Sequence, residues 1–395
     1  MQPAGRLTPQ PWMTAPETTA VLTALAAGGG VARFVGGCVR DALLGRSVSD
    51  VDIATTGAAE DNIRRLQAAG IKAVPTGLAH GTLTAVSDHR HFEITTLRLD
   101  VETDGRHARV AYTDDWAADA ARRDLTMNAL YADADGTLYD PMGGRADLEA
   151  GRVRFVGDAA TRIAEDRLRI LRFFRFHAWY GRGAPMADAL AACAAAAPEI
   201  GLLSAERVRV EVLKLLAAPA APAVVRLMAD AGVLAHVLPG PADPDALDHL
   251  VDQETEPEPL RRLAALTDHP DTARRLRLSN AERDRLAFLH RPLAEVVAST
   301  DMADLRRAAY RHGADLVADR LLLADEAAAA SAIRHWTPPA LPVAGADVVA
   351  RGVKPGPRVG RLLDAVEAWW LDADFTPDRA HCLAELDRLL PGKGG

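Results

Sequence analysis

The stretch Val31–Ile53, VARFVGGCVRDALLGRSVSDVDI, predicts one β-turn-α-β unit on which the reading of the whole chain depends. A β-rich run, Val31–Val35, leads into two consecutive glycines. The amphipathic segment Val39–Leu44 follows, with Gly45 where the cap of a helix C-terminus is expected. A second β run, Val48–Ile53, ends the stretch. Strand, glycine turn, helix and strand therefore follow one another within 23 residues.

This unit carries residues suited to binding a triphosphate and a divalent cation. Asp50 and Asp52 stand two apart on the second predicted strand, so their side chains point to the same face. Paired carboxylates suit Mg²⁺, which also keeps water or phosphate oxygens as ligands. Glycines at a strand-to-helix turn, Gly37 among them, let backbone N–H groups approach phosphate, and Arg40 adds a positive charge one turn into the helix. The layout is typical of a nucleotidyl-transfer site.

Neither a Gly-Gly turn nor an Asp-x-Asp pair is specific by itself, and most such pairs are solvated strand ends. Their ordered combination resembles the polymerase-β-like nucleotidyltransferase superfamily. Within it, GG-x-VRD-x-LLG followed by D-x-D resembles the family of class II tRNA nucleotidyltransferases and bacterial poly(A) polymerases. The resemblance implies an α+β fold, in which a head with a small mixed sheet and helices precedes all-α neck, body and tail regions.

Composition sets broad limits. The chain has 395 residues, 49% hydrophobic and 25% charged, as expected of a globular protein of two to four domains. No long apolar run predicts a membrane span, and the N-terminal residues do not resemble a secretion signal. Three scattered cysteines argue against a disulfide framework or a zinc site. We therefore expect a cytoplasmic protein without a membrane partner, and nothing in the sequence implies an oligomer.

The charge distribution leaves room for a nucleic-acid partner. The net charge of −8 argues mildly against one, because neutralising phosphates requires Lys and Arg. Between Arg152 and Lys214, however, ten Arg and one Lys stand against seven acids, whereas acids concentrate in Pro241–Glu258. A basic strip on an acidic protein is compatible with RNA binding.

Two further motifs extend the resemblance through the head. HFEITTLR, His91–Arg98, alternates like a strand and matches the family pattern E-x-TT-x-R. The superfamily uses a third acid on a neighbouring strand, so the resemblance assigns Glu93 that position. ARRDLTMNAL, read as part of a helix from Asp119 to Leu130, matches the family's RRD motif, which implies that Arg123 and Asp124 recognise phosphate and sugar. Residues 100–110 lack periodicity and predict a mobile loop.

AEDRLRILRFFRF, Ala164–Phe176, predicts a helix with one acid followed by three arginines at intervals of three. An exposed helix with i,i+3 ion pairs is the ordinary interpretation. Hydrogen-bond chemistry favours another one. Cytosine and adenine both place an amino donor beside a ring-nitrogen acceptor, and a carboxylate with a guanidinium complements that pair but not guanine or uracil. Asp166 and Arg169 match the family's ED-x-x-R motif, in which protein side chains read the base. Related poly(A) polymerases tend to depart from this ED form. Arg172 and Arg175 are assigned to support the base and the triphosphate.

The remainder of the chain predicts helices almost throughout. GVKPGPRVG, Gly352–Gly360, resembles a family motif that contacts tRNA, although the residues alone favour a plain helix start. We expect a catalytic head over 1–150, a neck over 151–218, a body over 219–337 and a tail over 338–395.

The resemblance implies addition of C, C and A to the tRNA 3′ end from CTP and ATP, with Mg²⁺ held by Asp50 and Asp52 and with Glu93 completing the acid cluster. A poly(A) polymerase, or an enzyme adding only CC or only A, shares the same head and stays an alternative. A non-catalytic RNA-binding module is the alternative of another class, and it would not need both the acid pair and the ED-x-x-R motif.

Overall fold

The computed structural model describes residues 1–78, 81–104 and 107–390, with the backbone alone for 100–104 and 107–110. Within this part of the chain, no helix combines the length and the apolar character that crossing a bilayer requires.

Two compact units make up the chain. The first consists of Met1–Pro244 with Arg274–Arg277, and the second of Asp245–Ala273 with Leu278–Gly395. The first unit contains the sheet, and the second is helical. The finer division into head, neck, body and tail stays a prediction.

Ten strands lie in the first unit. They are β1 (Gly5–Arg6), β2 (Ala32–Val35), β3 (Val51–Thr55), β4 (Lys72–Gly77), β5 (Thr82–Ser87), β6 (Arg90–Thr96), β7 (Arg98–Asp104), β8 (His107–Tyr112), β9 (Tyr131–Ala132) and β10 (Thr137–Tyr139). Eight of them form one mixed sheet in the order β1-β10-β9-β2-β3-β6-β5-β4, and β7 pairs with β8 in a separate ladder. The predicted mixed sheet is thus confirmed.

The centre of the sheet places the two acid-bearing strands side by side. β3 and β6 run parallel, with Asp52 opposite Glu93 in the register. Residues on either side of these acids are buried, with Val51 1% exposed and Ile53 and Ile94 0% exposed. Because side chains alternate across a strand, the apolar neighbours face the core, and both carboxylates lie on the opposite face.

The helices of the first unit surround this sheet and continue beyond it. They are α1 (Pro11–Thr14), α2 (Pro16–Ala26), α3 (Gly37–Leu43), α4 (Ala59–Ala68), α5 (Trp116–Ala121), α6 (Gly144–Ala150), α7 (Ala159–Glu165), α8 (Leu168–Tyr180), α9 (Ala187–Ala196), α10 (Ala205–Leu216), α11 (Ala221–Asp230) and α12 (Leu234–Val237). Helix α8 has an apolar side of buried residues, including Phe173 and Phe174, and this side anchors it while its arginines face the site.

Helices continue to the end of the described chain. They are α13 (Pro244–Gln253), α14 (Pro259–Leu266), α15 (Thr272–Arg275), α16 (Asn280–Leu289), α17 (Leu293–Val296), α18 (Met302–His312), α19 (Ala314–Leu322), α20 (Ala327–Arg334), α21 (Gly345–Val349), α22 (Pro357–Asp372) and α23 (Arg379–Leu389). From α6 onward every described regular element is a helix, as predicted.

Two predictions about local structure were wrong. Residues 98–104 and 107–112 pair as the β7–β8 ladder where a loop was predicted over 100–110; Gly105 and Arg106 lie outside the described residues. A two-stranded ladder pairs backbone groups and needs no apolar face, so the hydrophobicity pattern does not reveal it. The helix expected from Asp119 to Leu130 ends at Ala121, and a single 3₁₀ turn, Thr126–Asn128, follows.

Candidate active site

An acidic cluster lies on the open face of the sheet. Asp52 on β3 and Glu93 on β6 are register partners on adjacent parallel strands. Asp50 lies just before β3, is exposed, and accepts a hydrogen bond from the Ser49 hydroxyl at 3.1 Å. The structure therefore brings together the three carboxylates that sequence analysis singled out.

The charge state of Asp52 reflects this crowding. Burial, together with the neighbouring negative charges of Glu93 and Asp50, raises the pKa of Asp52 to about 6, against the opposing effect of Arg123 and Arg40. The negative charge of the cluster is thus incompletely neutralised by the protein.

This donor set fits a divalent cation that also binds substrate. Within the described residues, no group of three His, Cys, Asp or Glu side chains forms a ready-made metal site. Mg²⁺ is usually held by one or two carboxylates together with phosphate oxygens and water. Asp50 and Asp52 supply such a pair, and a cation between them would relieve the repulsion that raises the pKa of Asp52.

The glycine turn beside these acids is flanked by two guanidinium groups. Gly36 has a φ of +70°, which favours glycine, and Gly37 begins α3. A Cβ atom at Gly36 would lie 3.8 Å from Nη1 of Arg123, and one at Gly37 would lie 3.7 Å from Nη2 of Arg40. Bare backbone and two positive charges thus meet at one turn, as a triphosphate site requires.

Arg40 is held in place by the protein. Its side chain donates to Asp41 and, at 2.6 Å, to Oδ1 of Asn128, and its guanidinium stacks 4.3 Å from the ring centroid of Tyr180. The residue is only 7% exposed. Arg40 therefore acts at the turn as a fixed positive charge more than as a free donor.

Asp119 is a residue of this site that sequence analysis did not identify as functional. Its buried carboxylate accepts from Nη2 of Arg122 at 2.6 Å, from Nη2 of Arg123 at 3.0 Å and from the Tyr131 hydroxyl at 2.8 Å. Burial opposes ionisation, but Arg123 and Arg122 outweigh it and hold the pKa of Asp119 at about 2. The i,i+3 and i,i+4 spacing to the two arginines was visible in the sequence, whereas the contact with Tyr131 was not.

Asp124 joins the sheet-containing part of the first unit to helix α8. It accepts from Nε of Arg172 at 2.6 Å and from Nδ2 of Asn128 at 3.1 Å. Burial disfavours its charge, but these partners hold the pKa of Asp124 well below its usual range. Asp124 is therefore an ionised carboxylate whose orientation is set by Arg172.

The predicted base-reading residues differ from a simple helical pair. Helix α7 ends at Glu165, and Asp166 is extended, with a φ of −151°, so it precedes α8 instead of sharing its face. Asp166 accepts from Nη2 of Arg207 at 2.7 Å, and Arg169 donates to Glu165. Each member is thus held by its own partner. Arg207 is 41 positions from Asp166, and no local pattern in the sequence reveals that contact.

Arg172 and Arg175, on successive turns of α8, share a buried acid. Nε of Arg175 lies 2.9 Å from Oε2 of Glu211, and Nη1 of Arg172 lies 3.9 Å from Oε1 of the same residue. Glu211 on α10 thus holds the two arginines side by side. Arg172 also donates to Asp124, and Arg175 lies close enough to Arg40 for their charges to interact.

Comparisons with known proteins agree with this geometry. Residues 32–154 match the family model described as the poly A polymerase head domain, and residues 187–243 match one described as the probable RNA and SrmB-binding site of polymerase A. The mitochondrial CCA tRNA nucleotidyltransferase 1 of Mus musculus is 35% identical over 377 residues, covering 90% of this chain and 86% of its own. A CCA-adding enzyme of Geobacillus thermodenitrificans is 40% identical over 211 residues, which cover 53% of this chain and 51% of the relative.

Among solved structures, the Bacillus stearothermophilus CCA-adding enzyme in complex with CTP aligns with a TM-score of 0.73 at 29% identity, covering 94% of this chain and 96% of that one. Fold and near full-length sequence similarity lead to the same assignment. The chain belongs to the family of class II tRNA nucleotidyltransferases, or CCA-adding enzymes, and bacterial poly(A) polymerases.

Proposed function

We propose that this protein adds C, C and A to the 3′ end of tRNA from CTP and ATP. The observation that carries the proposal is the placement of Asp50, Asp52 and Glu93 beside a glycine turn flanked by Arg40 and Arg123. The named relatives, whose similarity extends over most of the chain, support tRNA as the substrate.

The chemistry is one displacement at phosphorus. The tRNA 3′ oxygen bonds to the α-phosphorus of the nucleotide, the bond to the bridging β-phosphate oxygen breaks, and pyrophosphate leaves. Asp50 and Asp52 would hold two Mg²⁺ ions. When bound, these ions would lower the pKa of the 3′ hydroxyl and neutralise phosphate charge. The Glu93 carboxylate beside Asp52 completes the acid cluster.

The protein positions the triphosphate around its reacting end. The Gly36 N–H donates to the carbonyl of Leu130 at 3.0 Å, so the N–H of Gly37 at the start of α3 would meet the β and γ phosphates, with Arg40 and Arg123 as flanking charges. Asp119 orients Arg123 through hydrogen bonds. Fixed charges of this kind stabilise a transition state without reorganising during the reaction.

Base choice rests on Asp166 and Arg169. Asp166 accepts from the exocyclic amine of cytosine or adenine, and Arg169 donates to the neighbouring ring nitrogen. Their separate partners, Arg207 and Glu165, support this proposal, because each holds its side chain while leaving polar atoms for a base. The ribose is assigned to Asp124, whose carboxylate is oriented by a hydrogen bond from Nε of Arg172 at 2.6 Å.

Contact with the body of the tRNA is assigned to the tail motif. Gly356 caps α22 with a φ of +151°, and a cavity of about 1230 Å³ beside it is lined by Lys354, Arg358 and Arg361. None of these three cations has a hydrogen-bond or ion-pair partner among the described residues. Free positive charges beside a glycine-rich turn suit RNA phosphates.

The test is incubation of the purified protein with tRNA lacking its 3′ CCA and with labelled CTP or ATP, separately and together. We expect two C residues with CTP alone and one further A with both. A long A tract from ATP alone would instead identify a poly(A) polymerase, and products limited to CC or to A would identify a partial enzyme. If the protein binds tRNA but neither incorporates nucleotide nor releases pyrophosphate with Mg²⁺, it is a non-catalytic RNA-binding module. The cytoplasm remains the predicted compartment, to be checked by cell fractionation.

A further inference from the structure

A cavity of about 390 Å³ opens between α3, α8 and α10 within the first unit. It is lined on one side by Arg40 and Ser49, and on the other by Arg175, Phe176, Trp179, Tyr180, Lys214 and Ala217. The base-reading residues Asp166 and Arg169 do not line it, whereas Arg40 and Arg175, assigned to the triphosphate, do. Three of its eight lining residues carry a positive charge and none carries a negative one.

The positive charge of this cavity, which we call the α8–α10 pocket, is incompletely paired. Arg175 has an ion pair from Nε to Glu211, but within the described residues its two terminal nitrogens have no hydrogen-bond partner. Lys214 is exposed, and its ammonium group has no partner in the described part of the chain. Burial and, to a smaller extent, the positive charge of Arg172 lower the pKa of Arg175, and the negative charge of Glu211 opposes them. An anion in this pocket would relieve the excess charge.

The pocket adjoins the phosphate-binding turn through Arg40. Arg40 lines it, and Nη2 of the same residue lies 3.7 Å from the Cβ position of Gly37. Ser49 lines it as well, and its hydroxyl donates to Asp50. Arg40 and Ser49 therefore connect the pocket to the turn assigned to the triphosphate and to the acid cluster.

Two of the three aromatic residues of the pocket have guanidinium groups over their rings, and the third, Trp179, donates its indole N–H to the carbonyl of Lys214 at 2.8 Å. The guanidinium of Arg40 lies 4.3 Å from the ring centroid of Tyr180, and that of Arg46 lies 4.7 Å from it. The ring of Phe176 is covered by Arg175 at 4.5 Å. Three cationic side chains and two covered rings suit a compact phosphate anion better than a nucleoside, which needs free aromatic faces for stacking.

We propose that the α8–α10 pocket binds pyrophosphate as it leaves the active site, with Lys214 and Arg175 as its cationic ligands. The inference rests on the proposed function, because nucleotidyl transfer is what releases this product. It assigns Lys214, which no motif in the sequence singled out, to product binding.

The test replaces Lys214 by alanine in the full-length protein, with Lys72→Ala as the matched control. Lys72 is an equally exposed lysine on β4, away from the pocket. Two quantities are measured: the inhibition constant of inorganic pyrophosphate in CTP incorporation, and the rate at which pyrophosphate removes the terminal A from complete tRNA. We expect Lys214→Ala to raise the inhibition constant about fivefold and to slow the reverse reaction by a similar factor, as suits loss of one partly solvated charge. Lys72→Ala should change neither.

Two outcomes would overturn the inference. One is an inhibition constant within twofold of the wild-type value, and the other is a raised KM for tRNA with unchanged pyrophosphate inhibition, which would assign the pocket to an RNA phosphate instead. Direct calorimetric titration of both variants with inorganic pyrophosphate and Mg²⁺ separates this question from activity. If the protein transfers no nucleotide but pyrophosphate binds more weakly to Lys214→Ala than to Lys72→Ala, the assignment of the pocket stands and the proposed function is refuted. Equal binding to both variants would refute the pocket whatever the activity.

Discussion

Replacing Asp119 with asparagine keeps the shape of the side chain but removes the charge that holds Arg122 and Arg123. The carboxylate is 1% exposed, and it accepts from both arginines and from Tyr131. Its pKa falls from 3.8 to about 2 on folding, which at 1.36 kcal/mol per unit corresponds to about 2.5 kcal/mol of stability at neutral pH. We expect Asp119→Asn to lower the free energy of unfolding by about that amount, measured by urea denaturation at pH 7.

The pH dependence has a definite sign. Because the folded-state pKa of Asp119 is depressed, its contribution is complete above its unfolded value of 3.8 and is lost as the pH falls toward about 2. The stability difference between wild type and Asp119→Asn should therefore stay constant from pH 8 to pH 5 and begin to narrow near pH 4. A difference that widens on acidification contradicts the assigned pKa.

Asp61→Asn is the matched control for this substitution. Asp61 also pairs with an arginine three residues away, Arg64, but these side chains are 42% and 70% exposed. An exposed pair of this kind contributes about 0–1 kcal/mol. Comparable losses in the two variants would refute the claim that burial makes the Asp119 interactions strong.

Activity supplies a second measurement on the same variant. Arg123 lies at the Gly36 turn, so its loss of orientation should raise the KM for CTP about tenfold, the effect of one hydrogen bond to a charged group. A KM within twofold of the wild-type value in a destabilised variant would show that Asp119 serves the fold alone.

The remaining predictions concern the acids and the base-reading pair. Asp50→Ala or Asp52→Ala should reduce transfer to less than about a tenth of wild-type turnover while tRNA affinity stays the same, because these acids serve the metal ions; retained turnover in a gel-based extension assay would contradict this. Glu93→Gln should lower kcat without shifting the thermal midpoint, because Glu93 is exposed on β6 and the amide is isosteric; an undiminished kcat would make it an ordinary strand residue. Asp166→Ala should reduce the preference for CTP and ATP over UTP and GTP by roughly ten- to a hundredfold, from about 1.5–3 kcal/mol per hydrogen bond to a charged group. If Asp166→Ala and Arg169→Ala both keep the wild-type ratios of kcat/KM, the base must be selected elsewhere.

The β-turn-α-β unit was readable from sequence because its signals are local. Strand alternation, consecutive glycines and a C-cap glycine act over a few residues, and β2 and α3 formed where they predict, whereas β3 begins at Val51 instead of Val48 and leaves Asp50 just before the strand. The helical second unit was readable for the same reason. Local signals failed at the β7–β8 ladder, which backbone pairing between two strands forms without an apolar pattern. They also failed after Ala121, where side chains cap a turn and the helix ends.

Only the tertiary structure decided which groups meet. The parallel register of two strands 41 residues apart placed Glu93 opposite Asp52, and burial of Asp52 then raised its pKa. Packing of α10 beside the start of α8 joined Arg207 to Asp166 and left Lys214, next to Arg175, without an ion-pair partner in the described part of the chain. A sequence determines the residues and the local turns that a site needs, because those depend on neighbours along the chain. Hydrogen-bond partners, charge balance and burial depend on neighbours in space, and these decide how each residue of the site works.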